Sequence, residues 1–594
     1  MTPSEILEQA RALHRAGAPE AESRYRAALE RDPGLHAAWD GLGTLAHAAR
    51  RFGAAVDALE RAVALAPRNP TYRVHLGAAL SRAGRAGEAV RALEVAIALD
   101  PRSTAAWVNL GIACQRWGDP DRAIEALERA LALDPRRAAA HNNLGNLLKE
   151  IGRVDAALAA YARALDADPT LAPAASNRLA ALKLVTGRTP AEICAVHREW
   201  ARGVERDAAP RAAVREGVDT PDRPLRLGYL SPDAHIALPS FIRRVFATHD
   251  PARFRVHAYF NNPQRAEADH AIESRVVRRV LAGLDNAGVA ALVAADDLDV
   301  LVDLAGHTGH NRLPIFARRP SRVAVTWLDY VSTTGMATID YRITDAIADP
   351  PGLAEAAHSE RLLRLPVPAW CWTPPPGTPA PGPPPLARTG VPTFGSFNHS
   401  AKLTDATLAI WRSLFAALPS ACLIAVGVPP GSARKRVADA LGVTGARLEF
   451  VPRLDDAGYR AMYERVDVAL DPMPFSGAAT TLDALWQGVP VVTLPGGWTW
   501  SRSTASLLSG LDARAWIARD AEHYVAIARG LVGDAARLAE LRAGLRPRVL
   551  ASPMVDVPGF VRHLEDAYRR AWSSFTSGEL HRDDAKRGAG RVLD

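Results

Sequence analysis

Apolar and polar positions repeat along the first third of the chain with a period of 34 residues. A Leu-Gly pair, two alanines and a proline recur at this interval, with the intervening residues spaced as on the buried faces of helices. Glycine and alanine let two helices cross closely, and proline opens the next helix, so the pattern predicts stacked helix pairs. The recurring positions are Leu42-Gly43, Leu76-Gly77, Leu110-Gly111 and Leu144-Gly145; Ala55, Ala89, Ala123 and Ala157; Ala62, Ala96, Ala130 and Ala164; and Pro33, Pro67, Pro101, Pro135 and Pro169.

These positions match the tetratricopeptide repeat, with five repeats between residues 2 and 170 and a degenerate first copy. Residues 177–184 are expected to form a capping helix, so the predicted repeat superhelix covers residues 1–185. An α-solenoid of this kind offers a concave groove for an extended peptide or a partner helix. A protein or peptide is therefore the expected partner of this half.

Three asparagines continue the same period, namely Asn109, Asn143 and Asn177. A side-chain amide both donates and accepts hydrogen bonds, so a ladder of asparagines would bind a peptide backbone of any sequence. Gly41 and His75 occupy the earlier positions, which leaves the ladder incomplete. The alternative is that these asparagines only satisfy neighbouring turns.

After a linker at 186–222, short β-branched runs alternate with helical stretches, as in a parallel sheet covered by helices. A proline-rich linker at 374–390 divides this α/β half into lobes at 223–373 and 391–575, and a disordered tail is predicted at 576–594. Two doubly wound sheets in tandem imply a cleft at the carboxyl ends of their strands. Strands are predicted at 225–231, 254–260, 298–306, 323–328 and 341–345, then at 392–398, 421–427, 447–452, 466–471 and 489–495.

The stretch 470–496 runs from a buried strand through small residues, among them Ser476 and Gly477, into a helix. Thr480 or Thr481 is predicted to cap this helix, with Asp483 in its first turn. Free amides and the helix dipole make such a start suitable for a diphosphate, although every helix start shares some of these properties.

A second cleft loop, at 397–405, contains Asn398, His399 and Lys402. Only five of the 72 Lys and Arg residues are lysines, and Lys402 alone is predicted in such a loop. Its ammonium group could neutralise the charge that builds on a departing phosphate. The alternative is a solvated surface lysine.

The formal net charge of +7 is small for 594 residues and the basic residues are scattered, which argues against nucleic acid as a partner. The four cysteines include no Cys-x-x-Cys pair, so neither a zinc site nor a disulfide framework is predicted, and a reducing cytoplasm is expected. The N-terminal residues lack an apolar signal core, and no long apolar run occurs. Neither export nor membrane attachment is expected.

Several motifs together resemble the O-linked N-acetylglucosamine transferase family, in which such repeats precede two Rossmann-like lobes of GT-B type. This resemblance implies inverting, metal-independent transfer from UDP-N-acetylglucosamine to Ser or Thr of proteins, without a cofactor. It implies that Lys402 binds the diphosphate, Thr480 the phosphate oxygens and Asp483 the ribose, with Asn398 and His399 near the nucleotide. The motifs are LRLGYLSPD at 225–233, DLAGHT at 303–308, NRLPIFARRP at 311–320, VTWLDYVSTTG at 325–335, FNHSAK at 397–402 and TTLDALWQGVPVVTLPG at 480–496.

The chain departs from the family at four places. Ala237 stands at or next to a family histidine, Tyr459 replaces a nucleotide-contacting histidine but can stack on uracil, and Ala479 replaces a diphosphate-loop threonine. Residues 329–332 read Asp-Tyr-Val-Ser instead of Gly-Tyr-Pro-Gly. These departures leave two alternatives, another nucleotide-sugar donor or a repeat adaptor with inactive lobes.

The general base is left open among three side chains and the donor itself. The candidates are His235, His307 and Asp296. His307 could instead be a structural residue bonded within its own loop, and His235 could be solvated. The donor's own phosphate could also take the hydroxyl proton.

Overall fold

The computed structural model describes residues 1–208, 223–231, 238–261 and 275–580. These residues form two compact units, one of Met1–Ala174 with Pro429–Lys435 and the other of Ala175–Val428 with the residues from Arg436 onward. Among the described helices, none has the length and apolar character needed to cross a membrane.

The first unit consists mainly of five helix pairs, as the 34-residue period predicts. Within each pair the two helices pack directly against each other. The helices are α1 (Pro3–Arg15), α2 (Ala21–Arg31), α3 (His36–Ala48), α4 (Phe52–Leu65), α5 (Pro70–Arg82), α6 (Ala86–Leu99), α7 (Thr104–Trp117), α8 (Pro120–Leu133), α9 (Ala138–Glu150) and α10 (Val154–Ala167).

The recurring glycines mark the points where the helices of a pair approach most closely. A Cβ atom added to Gly43 or to Gly77 would lie 2.4 Å from the Cγ of Leu59 or of Leu93, respectively. The repeating alanines of the second helices, such as Ala89, are 0 % exposed. The glycines and alanines therefore recur every 34 residues for a steric reason, because a larger side chain would separate the paired helices.

Substitution of Gly77 by alanine is expected to destabilise the repeat unit by about 1–3 kcal/mol, because Leu93 must move to admit the new methyl group. The matched control is Gly53→Ala in α4, where an added Cβ meets no atom within 4 Å. Alanine there should be neutral or stabilising, because it favours the helix over glycine. The measurement is thermal unfolding followed by circular dichroism at 222 nm, and equal shifts for the two variants would contradict the steric argument.

Beyond the repeats, helices and strands alternate. The helices are α11 (Ala172–Leu182), α12 (Pro190–Arg206), α13 (Leu238–Thr248), α14 (Asn286–Ala295), α15 (Leu386–Thr389), α16 (Asp405–Ala417), α17 (Ser432–Leu441), α18 (Asp456–Ala461), α19 (Ala479–Trp486), α20 (Ser503–Gly510), α21 (Ala521–Val532), α22 (Ala535–Leu550) and α23 (Val557–Thr576). The strands are β1 (Leu225–Ser231), β2 (Phe254–Phe260), β3 (Val276–Val280), β4 (Val300–Asp303), β5 (Val323–Thr326), β6 (Tyr341–Asp345), β7 (Arg361–Leu365), β8 (Thr393–Ser396), β9 (Cys422–Val426), β10 (Leu448–Val451), β11 (Val468–Leu470) and β12 (Val491–Val492).

The strands form two parallel sheets, with the orders β3-β2-β1-β4-β5-β6-β7 and β10-β9-β8-β11-β12. This arrangement confirms the predicted fold class, repeats followed by two doubly wound α/β lobes. All ten predicted strands are present, whereas β3 and β7 were not predicted. Both are edge strands of the first sheet, and both carry arginines among their apolar residues.

Two segments differ from the predicted domain boundaries. The predicted linker at 186–222 begins with a helix, α12, whose capping box joins Thr189 to Glu192. The last helix, α23, was assigned to the second lobe but packs on the first, where Glu565 accepts a hydrogen bond from His249 at 3.0 Å and Phe560 stacks on Trp327. The disordered tail predicted at 576–594 begins too early, because Leu580 is 1 % exposed and its carbonyl accepts a hydrogen bond from Arg361. Residues from 581 onward lie outside the described part of the chain.

Candidate active site

The loop after β8 positions the predicted lysine at the carboxyl end of a central strand. One 3-10 turn, Ser400–Lys402, follows His399, whose Nδ1 accepts a hydrogen bond from the amide of Ala401 at 3.2 Å. Thr404 then caps α16, where its side chain accepts a hydrogen bond from the amide of Thr407. The turn and the helix cap hold the backbone of Lys402 in place from both sides. His399 is exposed.

Lys402 reaches from this loop to the loop that follows β11. Its Nζ donates hydrogen bonds to the carbonyl of Ser476 at 2.8 Å and to Oδ1 of Asn398 at 3.3 Å, and lies 4.0 Å from the centroid of the Phe475 ring. Thr480 donates its hydroxyl to the same Oδ1 of Asn398 at 3.3 Å. The structure thus brings three predicted site residues together, and a freely solvated lysine does not fit these contacts.

Burial alters the proton equilibria around this lysine. It lowers the pKa of Lys402 to about 8, although the negative charge of Asp471 opposes the shift. Burial likewise raises the pKa of Asp471 to about 6, against hydrogen bonds from Thr493 and the amide of Gly477. At neutral pH the ammonium group therefore remains mostly charged despite its burial.

The helix after this loop begins earlier than predicted. α19 starts at Ala479 with Ala478 as its N-cap, and no side chain accepts a capping hydrogen bond. The prediction of a threonine cap is wrong because Thr481 pairs with the hydroxyl of Thr504 at 2.9 Å and Thr480 turns toward Asn398. Both threonines lie in the first turn, and Asp483 lies beyond it.

Ser476 and Gly477 shape the turn into this helix. The hydroxyl of Ser476 donates to the carbonyl of Trp500 at 3.0 Å, and its own carbonyl accepts the hydrogen bond from Lys402. Gly477 must be small, because an added Cβ would lie 2.5 Å from Oγ1 of Thr480. The tight turn brings the backbone close to any anion at the helix start.

Aromatic rings line the region next to Asp483. Phe397 stacks on Tyr463 with ring centroids 3.8 Å apart, Tyr459 meets Phe397 edge-on, and the two tyrosine hydroxyls lie 2.9 Å apart. Burial raises the pKa of Asp483 to about 7, and this carboxylate in turn helps to raise the pKa values of both tyrosines. A carboxylate beside aromatic faces suits a ligand with hydroxyl groups and a planar base. Sequence reasoning missed Phe475 and Tyr463, since no motif signal marks them.

The candidate bases lie in different environments. His235 lies outside the described residues, as does Ala237. His307 is buried, hydrogen-bonds through Nε2 to the carbonyl of Thr334 at 2.8 Å and packs 4.4 Å from the Trp200 ring. Burial and the charges of His197 and Lys183 lower the pKa of His307 well below the ordinary value. Its hydrogen bond ties it to the loop after β5, and not to its own loop as the structural alternative predicts.

Asp296 is occupied by other side chains. Arg279 donates to it at 2.6 Å and Tyr259 at 2.7 Å. Burial alone would raise the pKa of Asp296, but these partners hold it below the ordinary value, so it is a weak base. No contact joins Asp296 to the Lys402 loop among the described residues. In the described part of the chain, no group of three or more His, Cys, Asp or Glu side chains is arranged to hold a metal ion.

The asparagines of the predicted ladder lie on the first helices of their repeats and on α11. Asn109 and Asn143 are half-exposed, and no hydrogen bond of either side chain occurs among the described contacts. At the earlier positions, His75 pairs with Asp40 at 2.7 Å, and an added Cβ at Gly41 would lie 2.3 Å from the Tyr25 ring. The Tyr25 ring thus occupies the space that an asparagine would need at residue 41, and at residue 75 a histidine paired with Asp40 stands in the ladder position.

Comparison with known families gives two matches. The model described as glycosyl transferase family 41 matches residues 210–369 and 389–564. The model described as tetratricopeptide repeat matches residues 7–70, 115–172 and 145–212. The two descriptions correspond to the two parts of the fold.

Several individual proteins are similar to this chain in sequence or in structure. The probable UDP-N-acetylglucosamine--peptide N-acetylglucosaminyltransferase SPINDLY of Solanum lycopersicum is 34% identical over 416 residues, which cover 68% of this chain and 44% of the relative. The probable enzyme of the same activity named SEC, from Arabidopsis thaliana, is 26% identical over 60% of this chain and 38% of its own length. The chain thus spans less than half the length of these curated relatives. Among solved structures, a mutant of Thermobaculum terrenum O-GlcNAc transferase has 34% identity and a TM-score of 0.78, covering 86% of this chain and 99% of that one.

Proposed function

The chain belongs to glycosyl transferase family 41, and from this premise we propose that it transfers N-acetylglucosamine from UDP-N-acetylglucosamine to Ser or Thr hydroxyls of proteins. The names of the relatives support this donor and a peptide acceptor. The observation that carries the proposal is the fixed ammonium group of Lys402, held between Ser476 and Asn398 beside the start of α19.

The proposed reaction is a direct displacement that inverts the anomeric centre and needs no metal. The acceptor oxygen forms a bond to the anomeric carbon as the bond to the β-phosphate oxygen breaks, and UDP leaves with one more negative charge. Lys402 and the free amides of the first turn of α19 stabilise that charge. The acceptor proton passes to a base, for which His235 and the donor's own phosphate are the candidates.

The nucleotide has a separate set of proposed contacts. The carboxylate of Asp483 would accept hydrogen bonds from the ribose hydroxyls, and Tyr459 would stack on the base. Asn398, His399 and Thr480 would lie along the diphosphate, with Ser476, Gly477 and Thr481 forming the turn around it. Charge-assisted hydrogen bonds to a half-buried carboxylate are stronger than neutral ones, which suits sugar hydroxyls.

Titration calorimetry with UDP, followed by intact-mass measurement of a co-expressed acceptor protein, tests this function. We expect UDP binding and a mass increase of one or more N-acetylhexosamine units on the acceptor. A different mass increment would favour a second donor sugar, an alternative supported by Tyr459, whose hydroxyl pairs with Tyr463 where the family has a histidine. Absence of UDP binding would instead support an adaptor with inactive lobes.

Replacing Asn109 and Asn143 together by alanine is expected to weaken glycosylation of protein acceptors about tenfold, because two amide contacts to the acceptor backbone are lost. The affinity for UDP should stay unchanged. The measurements are kcat/KM for a protein acceptor and calorimetry with UDP, with Asn142→Ala as a matched control on α9. A parallel loss in both measurements would argue that the substitutions damage the fold, not the acceptor groove.

A further inference from the structure

A second lysine approaches the loop that Lys402 contacts. Lys183 directly follows α11 and is 4 % exposed. Its Nζ lies 3.9 Å from the centroid of the Tyr330 ring and 4.6 Å from that of Phe475. The sequence places this residue at the end of the predicted capping helix, so only the three-dimensional structure associates it with the site.

Phe475 links the two lysines. The ammonium group of Lys402 lies 4.0 Å from the centroid of the same ring. Phe475 immediately precedes Ser476, whose carbonyl accepts the hydrogen bond from Lys402, and the turn leads directly into α19. Two cationic groups thus flank one aromatic ring at the proposed phosphate-binding turn.

Neutral and charged groups both lie around Lys183. His197 and His307 are buried, and burial together with the charge of Lys183 lowers the pKa of each, so both imidazoles are neutral at pH 7. The nearby carboxylate of Glu360 accepts hydrogen bonds from the hydroxyls of Thr333 and Thr334. Burial alone would raise the pKa of Glu360, but the charge of His358 and these hydrogen bonds hold that pKa below the ordinary value, so Glu360 stays ionised. Its charge offsets part of the field of Lys183, whereas an anion beside Phe475 would meet the ammonium groups of both Lys183 and Lys402 directly at the ring.

We propose that Lys183 is a second cationic ligand of the donor's diphosphate, acting together with Lys402. A diphosphate carries oxygens on two phosphorus atoms, so it accepts hydrogen bonds from two ammonium groups at once. Such charge-assisted bonds are strong in a buried site. This inference rests on the proposed function, because it assumes that the sugar donor is a nucleoside diphosphate sugar. It adds a contact to that diphosphate from the segment that follows the last repeat.

The test compares ligands that differ only in their phosphates. Calorimetry or ligand-detected NMR of the full chain would measure binding of UDP and of uridine to the wild type and to Lys183→Met. We expect the affinity for UDP to fall about tenfold to a hundredfold, the effect of losing one hydrogen bond from a charged group. Uridine affinity should change less than about twofold, since uridine has no phosphate for the lysine to bind.

Two further variants separate a ligand contact from a structural role. Lys435→Met makes the same change at an exposed lysine and should leave both affinities unaltered. Lys183→Gln keeps a polar side chain without the charge, so it should show the same selective loss of UDP even if methionine disturbs folding. Circular dichroism melting of each variant monitors the fold.

Three outcomes would overturn the inference. Unchanged UDP affinity in Lys183→Met would show that Lys183 does not contact the diphosphate. Equal losses for UDP and uridine would show that it only supports the fold of the site. If the wild-type chain itself does not bind UDP, the proposed function fails as well, so this result is distinguishable from a failure confined to Lys183.

Discussion

Replacing Lys402 by alanine is expected to lower turnover about a hundredfold or more, the effect of losing one preorganised charge stabiliser. The leaving UDP gains a full negative charge, whereas the start of α19 offers only partial charges from its amides. Lys402 supplies a full charge, and its contacts with Ser476 and Asn398 fix it before the reaction begins. The measurement is kcat with saturating donor and acceptor. UDP affinity should fall less, because most of the interaction develops in the transition state.

The controls for this experiment are Lys435→Ala, at an exposed lysine, and Lys402→Arg. The first should retain wild-type turnover. The second should restore activity only in part, because a planar guanidinium group cannot replace a compact ammonium group packed against Phe475. Near-wild-type turnover of Lys402→Ala would mean that another cation stabilises the leaving group, and the proposed site would then be withdrawn while the fold stands.

Inner strands of the first sheet were predicted more accurately than its edge strands. The bounds of β1, β2 and β6 were predicted to the residue, because apolar or aromatic side chains recur at alternate positions in each of them. β3 and β7 escaped prediction because edge strands tolerate charges, and VVRRV and RLLRL contain arginines. The sequence analysis predicts a linker where α12 lies, although the capping box of Thr189 and Glu192 is a signal for a helix start.

In the candidate site, some residues could likewise be identified from the sequence and others could not. Lys402 was identifiable because lysine is rare in this chain and because the residue follows a strand whose carboxyl end must face the cleft. The contact between Lys183 and Phe475 could not be predicted from the sequence, because it depends on how segments far apart in the chain fold together. The helix start of α19 was misplaced because two threonine hydroxyls bond to neighbouring segments instead of capping their own helix.

The pH dependence of kcat/KM for the UDP-sugar is expected to be bell-shaped, with its maximum between the pKa of Asp483, about 7, and that of Lys402, about 8. Burial raises the first pKa, so activity should rise as Asp483 loses its proton and can accept hydrogen bonds from the ribose. Burial lowers the second, so activity should fall as Lys402 loses its charge above pH 8. The ratio kcat/KM reports the groups of the free enzyme, and the esterified diphosphate of the donor does not titrate in this range.

Asp483→Asn is expected to remove the acidic limb of this profile and to lower kcat/KM about tenfold to a hundredfold near pH 8, because a neutral amide cannot replace a charged acceptor. Lys402→Arg should instead remove the alkaline limb, since arginine stays protonated. Asp456→Asn removes an exposed carboxylate three residues before Tyr459 whose charge helps to raise the pKa of Asp483. As the control, it should retain both limbs and move the acidic limb to lower pH. If Asp483→Asn keeps the wild-type profile and rate, Asp483 does not hold the donor, and the acidic limb must come from another group. A loss that is equal at pH 6 and pH 8 would show that the carboxylate supports the fold of the pocket, because only a titrating ligand contact links the size of the loss to pH.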